Sequence, residues 1–367
     1  MTGPRIRLLV VDDSNFVRIA LRKMLEPASD IEIVGEARNG AEALRLSRKL
    51  KPHVVAMDLN MPIMDGIESV QAIAAEKGPP CIMVSNETSE GADATIRALE
   101  TGAVDFVCKH SSFITFDMAS IERQLTEKVR HWGRWRMALT GESVADAASV
   151  PAVEPAPEPM PEPVPKPIPP LRSSARGHRP DLVVVGVSTG GPVALVELLG
   201  ALAPLPCPLV VAQHMPASFT AGFAASLTRS LGRTVEEGGD GAVLVPGAVT
   251  ILRGGADWTV RRGASGRFTL HAADPAGAIY HPSADRLFRS AAESAESPVA
   301  VVLTGMGDDG SAGAAAFAER RLPVLVQDPV TCAVDGMPKA AIRAGVATEV
   351  LPVAAIARKL NALFTLA

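Results

Sequence analysis

The 367-residue chain carries 36 basic and 40 acidic side chains, a formal charge of −4, with 47% apolar and 21% charged residues. That length gives two domains, or three, with cores of their own, and the near-balanced charge argues against broad electrostatic attraction to nucleic acid or to an anionic membrane. Aromatic residues are only 4% of the chain, so its cores must be built from Val, Leu, Ile and Ala.

The N-terminal run MTGPRIRLLVVDD has no long apolar core and no cleavage site, so it does not read as a signal peptide. Cys81, Cys108, Cys207 and Cys332 lie far apart without metal-ligand spacing and read as small apolar fillers in a reducing compartment. The chain is expected to be cytoplasmic. From the N-terminus, IRLLVV, IEIVG, HVVAMD, CIMVS and VDFVC read as five buried strands. NFVRIALRKMLEP, GAEALRLSRKL, GIESVQAIAAEK and EGADATIRALETG, with apolar residues at helical spacing, lie between them, and FDMASIERQLTEKVRHW closes the set. This alternation predicts a parallel sheet covered by helices on both faces.

Ligands in such a sheet sit beyond the carboxyl ends of the strands. Asp12 and Asp13 follow the first strand, Asp58 the third; Ser85 ends the fourth and Lys109 the fifth. Clustered carboxylates repel one another unless a cation joins them, and hard oxygen donors suit Mg²⁺. An aspartate there could itself be a nucleophile forming an acyl phosphate, with the lysine and the serine hydroxyl meeting the phosphoryl group. Loop-end aspartates also cap helices, and for Asp12 or Asp65 taken singly capping is the simpler account. The five-residue constellation favours a site.

These segments, as VVDDSNFVR, MDLNMPIMDG, MVSNET and GAVDFVCKH, resemble in order the receiver domain of two-component response regulators, over residues 5 to about 131. The resemblance implies a flavodoxin-like fold, with Asp58 as phosphoacceptor and Asp12, Asp13 and Asp58 as a Mg²⁺ site. It also implies Ser85 as switch hydroxyl, Lys109 as phosphate partner and Phe106 as a rotating aromatic. Receivers usually follow that lysine with proline, where this chain has His110.

Residues 151–170, PAVEPAPEPMPEPVPKPIPP, alternate proline with Ala, Val, Glu and Lys and predict an extended, semi-rigid spacer. With its flanks this divides the chain into a domain at 1–136, a flexible linker at 137–180 and a second domain at 181–367. There LVVVG, PLVVAQ, AVTILR, VAVVLTG and PVLVQ are strand candidates, and PVALVELLGAL, ADRLFRSAAES, AGAAAFAERR and PKAAIRAG are helix candidates. DWTVRRGASGRFTLHA reads as a hairpin, giving a doubly wound α/β domain with an antiparallel element. The uncharged stretch from Leu198 to Thr228 is broken by Pro204, Pro206, Pro208 and Pro216 and holds His214, so it does not read as a membrane span.

In VVVGVSTGG, residues Gly186, Ser188 and Gly190 match G-x-S-x-G, a strand-to-helix turn that can present a nucleophile. The same turn opens a helix whose amides could cradle a phosphate, or it could simply bend the chain. A serine hydroxyl needs a base, and the base an orienting acceptor. Of seven histidines, His53, His110 and His131 belong to the first domain and His178 to the linker; His271 lies in the hairpin and His281 in the loop after it. Only His214 ends a parallel-type strand. VAVVLTGMGDDG ends another with Asp308 and Asp309, so folding would converge a serine, a histidine and an aspartate on one sheet edge. Without a phosphate-loop lysine or an acidic residue ending the next strand, the nucleophile reading prevails.

VGVSTGGP, AQHMP, HPSADRLF, LTGMGDDGSAG and VQDPVTCAVDGMPKAA resemble, in order, the catalytic domain of chemotaxis protein-glutamate methylesterases, over residues 181 to about 363. The resemblance implies Ser188 as nucleophile, His214 as base and Asp309, rather than Asp308, as orienting carboxylate. Thr189 and the Met306 amide fall where that family supports the site and the oxyanion. The family usually has arginine before PS, where this chain has His281. The implied substrates are glutamate methyl esters on cytoplasmic helices of chemoreceptors, with deamidation of certain glutamines, a chemotaxis histidine kinase as phosphodonor, and no cofactor for hydrolysis itself. Neither a nucleic-acid partner nor membrane insertion is expected. Two rivals are a receiver-switched binding module and a phosphorylation-gated transcription factor, although no basic helix-turn-helix pattern follows the linker.

Overall fold

The computed structural model describes residues 4–86, 89–109, 118–142, 179–274 and 280–365, which fall into two compact units, one within residues 1–162 and one within 163–367. His110, His178 and most of the expected linker lie outside the described residues.

The first unit runs β1 (Ile6–Val11), α1 (Asn15–Leu25), β2 (Ile31–Ala37), α2 (Gly40–Leu50), β3 (Val54–Met57), α3 (Gly66–Ala75), β4 (Cys81–Asn86), α4 (Ser89–Thr101), β5 (Asp105–Lys109) and α5 (Met118–Thr140). Its strands form one parallel sheet in the order β2-β1-β3-β4-β5. Leu8 to Val11 and Val54 to Met57 are wholly buried, as central strands covered on both faces must be. Asp65 caps α3 in a reciprocal capping box with Glu68, whereas α1 is capped by Ser14, leaving the Asp12 side chain to other partners. Helix α5 runs beyond the expected boundary at Arg136. Met137 is buried, and Glu142 pairs with Arg7 at 3.2 Å and with His53 Nε2 at 3.0 Å, which fixes the chain past that point.

The second unit runs β6 (Leu182–Val187), α6 (Gly191–Ala201), β7 (Leu209–Gln213), α7 (Ala217–Leu231), β8 (Val235–Gly238), β9 (Val243–Leu244), β10 (Val249–Leu252), β11 (Asp257–Arg262) and β12 (Phe268–Ala273). It continues with α8 (Ala284–Ser294), β13 (Pro298–Val302), α9 (Ser311–Glu319), β14 (Val324–Gln327), α10 (Gly336–Arg343), β15 (Glu349–Leu351) and α11 (Val353–Thr365). Seven strands form a parallel sheet, β15-β14-β13-β6-β7-β10-β8, and β11, β12 and β9 form a small antiparallel one. From β6 the chain builds outward to β7, and later returns to lay β13 on the other flank, so β6 marks the topological switch point where ligands bind in doubly wound sheets. Phe288 of α8 and Phe317 of α9 are fully buried and meet edge to face, 6.1 Å between centroids, in the core on one face of this sheet. The uncharged stretch around residue 214 forms β7 and α7, and no helix among the described residues is long and apolar enough to cross a membrane.

Candidate active site and phosphoryl-acceptor site

Register brings the second unit's candidates together. Val187 of β6 pairs with Gln213 of β7, and the His214 N–H donates to the Val187 carbonyl (3.1 Å), extending the ladder one step past both strands. Ser188 and His214 therefore stand side by side, at the strand spacing of about 5 Å. Gly190, at φ +77°, supplies the left-handed turn that sends the chain from Ser188 into α6. The Ser188 backbone is tied on both sides: its N–H donates to the Thr304 carbonyl (3.0 Å) and its carbonyl accepts from Gly191 N (2.9 Å) and Gln213 Nε2 (3.0 Å). Gln213 Nε2 also donates to the His214 carbonyl (3.2 Å), joining the two strand ends by one side chain.

From the other flank, the turn after β13 carries Asp309, buried, while Asp308 is exposed. Asp309 Oδ2 lies 2.8 Å from His214 Nε2 and accepts from Ala284 N (2.6 Å); Oδ1 accepts from Ser283 Oγ (3.1 Å) and Asp285 N (2.9 Å). Burial by itself would raise this carboxyl, but the His214 ring and the amides at the start of α8 outweigh it and hold Asp309 below the ordinary aspartate range. An ionised Asp309 accepts only, so His214 Nε2 is the donor in this bond. Nδ1 is buried and has no hydrogen-bond partner among the described residues, and no hydrogen bond joins it to Ser188.

Thr189 is buried, its carbonyl held by Thr304 Oγ1 (2.9 Å), and Met306 is half-buried in the turn leading to Asp309. Among the described residues, neither the Thr189 nor the Met306 N–H donates to an acceptor, and α6 has no side-chain cap. Free amides at a helix N-terminus favour a developing negative charge. Ser283, Gln213, Thr304 and Tyr280, which stacks on the His214 ring, were not singled out from sequence. Ser283 alone had a local signal, as an N-cap serine directly before an amphipathic helix.

In the first unit, Val11 pairs with Met57, which sets Asp12 beside Asp58. Lys109 Nζ donates to Asp12 Oδ2 and to Asp58 Oδ1, both at 2.7 Å, in a buried triad. Burial, with the Asp12 charge and only partly offset by Lys109, keeps the Asp58 carboxyl above the ordinary aspartate range. Asp13 is exposed, and one carboxylate oxygen from each of Asp12, Asp13 and Asp58 lies within 4.8 Å of the others. This acidic cluster of hard donors fits a small divalent cation. Ser85 is buried at the same edge, its Oγ 2.7 Å from Thr95 Oγ1. Phe106 is buried, with Lys128 Nζ 5.3 Å from its ring centroid.

The CheB methylesterase family model matches residues 183–360, and the response regulator receiver domain model matches residues 8–117. A protein-glutamate methylesterase/protein-glutamine glutaminase 1 of Oleidesulfovibrio alaskensis is 42% identical over 358 residues, spanning 95% of this chain and 96% of its own. A protein-glutamate methylesterase/protein-glutamine glutaminase of Bacillus subtilis is 36% identical, spanning 97% and 98%. Among solved structures, the CheB methylesterase catalytic domain of Thermotoga maritima is 37% identical, covering 51% of this chain and 100% of its own at a TM-score of 0.48. The response regulator domain of Thermotoga maritima CheB is 41% identical, covering 35% and 97% at a TM-score of 0.33.

Proposed function

The chain belongs to the protein-glutamate methylesterase/protein-glutamine glutaminase family, and from that premise we propose that Ser188, His214 and Asp309 hydrolyse glutamate γ-methyl esters of chemoreceptors under control of phosphorylation at Asp58. The observation that carries the reading is the buried His214–Asp309 pair at 2.8 Å, which commits Nε2 and leaves Nδ1 as the base beside Ser188.

Ser188 Oγ attacks the ester carbonyl as Nδ1 accepts its proton. Asp309 holds the Nε2 proton and stabilises the imidazolium that forms. The carbonyl oxygen becomes an oxyanion, met by the Thr189 and Met306 amides and the N-terminal end of α6. The tetrahedral adduct collapses, the C–O bond to methoxide breaks, and the imidazolium returns its proton so that methanol departs. Water, deprotonated by the same Nδ1, then opens the acyl-enzyme and frees the glutamate. With a glutamine side chain the first leaving group is ammonia, and the same steps complete a deamidation.

On the receiver, Asp58 is the acceptor of a phosphoryl group from a histidine kinase. Asp12, Asp13 and Asp58 would hold Mg²⁺, which when bound offsets the charge of the incoming phosphoryl oxygens. Lys109 stands ready to pair with one of those oxygens and Ser85 Oγ to donate to another, while the buried Phe106 follows the Ser85 rearrangement. The added charge biases the receiver toward its active state. Methanol release from methylated receptor membranes is expected to rise when a small phosphodonor and Mg²⁺ are added, and also when residues 1–170 are deleted. Asp58→Asn should abolish the response to the donor. No rise under either treatment would exclude control by the receiver.

A further inference from the structure

The Tyr280 ring lies flat on the His214 imidazole, with centroids 4.8 Å apart and planes at 4°. The residues that follow it are moored to a buried carboxylate: His281 Nδ1 lies 3.0 Å from Oδ1 of the fully buried Asp257, which also accepts from Ser283 N (2.8 Å) and pairs with Arg286 Nε (3.0 Å). Tyr280 also abuts the turn that carries Met306 and Asp309. A Cβ placed on Gly307 would lie 3.0 Å from Tyr280 Cε2 and from Oη, so the glycine there, at φ +82°, leaves the space the phenol fills. Residues 280–284 thus touch both the imidazole, through Tyr280, and its carboxylate, through Ser283 and Ala284.

A ring held by one hydrogen bond at Nε2 can still turn about it and swing Nδ1 away from Ser188. A flat aromatic surface against one face blocks that turn. We infer that Tyr280 is a positioning residue, holding the His214 ring in the plane where Nδ1 can take the Ser188 proton; this rests on the Ser188–His214–Asp309 reading above. The contact is stronger with the imidazolium formed during attack than with the neutral ring, so its loss falls on kcat rather than KM. The ring face, not the hydroxyl, carries the effect.

The test measures methanol release from methylated receptor membranes by the full-length chain and its Tyr280→Ala, Tyr280→Leu, Tyr280→Phe and Ser188→Ala variants. Tyr280→Ala and Tyr280→Leu are expected to lower kcat about tenfold with KM within about twofold, and Tyr280→Phe to stay within about twofold of the parent. Parental kcat in Tyr280→Leu, or a Phe variant as impaired as the Leu variant, overturns the brace. The chain has a single tyrosine, so its ring resonances report the stack directly, and they should move on His214→Ala. Resonances unmoved by that change also overturn it. Turnover surviving in Ser188→Ala overturns instead the nucleophile on which the inference rests.

Discussion

Ser188→Ala is expected to lower kcat for methanol release by about 10⁶-fold, the scale of losing the nucleophile from a serine triad. The remaining rate comes from substrate binding and oxyanion donors, which the substitution leaves in place. Folding should be almost unaffected, because the bonds that set residue 188 in its turn are all made by its backbone, to Thr304, Gly191 and Gln213. The variant should therefore melt with the parent and still accept phosphate on Asp58. It should also resist labelling by a serine-reactive phosphonate, which the parent takes up. Appreciable methanol release by a folded Ser188→Ala protein would refute the mechanism.

Asp309→Asn is expected to lower kcat by about 10⁴-fold, for a reason specific to this ring orientation. An amide turned to keep accepting from the start of α8 presents its NH₂ to His214 Nε2. That nitrogen must then accept, the proton moves to Nδ1, and the base facing Ser188 is lost. Asp309 also holds α8 through Ser283 Oγ and the amides of Ala284 and Asp285, so Asp309→Ala should in addition cost about 1–3 kcal/mol of stability. The sign of the pH dependence follows from its depressed carboxyl. Because the folded value lies below the unfolded one, the contribution is complete above the ordinary aspartate range and is lost as pH falls through the folded value. Melting temperatures of the parent and of Asp309→Asn should therefore differ at neutral pH and converge in acid; a gap that widens in acid would contradict an ionised Asp309.

Much of this was legible from residue order. Buried strands ending in DD, MD, SN and CK in the first unit, and in VS, QH and TG in the second, announce their sheet edges, because a parallel sheet puts every carboxyl end on one side. Helix α7 is hard to read because its outer face carries mostly Ser, Ala and Gly with one charge, Arg229, although Phe219, Phe223 and Leu227 recur at four-residue spacing on its buried face. The short strands β8 and β15 lie at the sheet edges and owe their form to a neighbour rather than to their own pattern.

Residue order alone brings Asp12, Asp58 and Lys109 to the rim of one sheet and Ser188 and His214 to the rim of the other. The family resemblance already pointed to Asp309 over Asp308; which imidazole nitrogen meets that carboxylate, and that Tyr280 covers the ring, are visible in the folded chain alone. Strand order along the chain is a local, periodic property, readable from alternating apolar runs. The direction of a side chain in a glycine turn is set by groups distant in sequence, here the amides at the start of α8 and residues 280–283 before it.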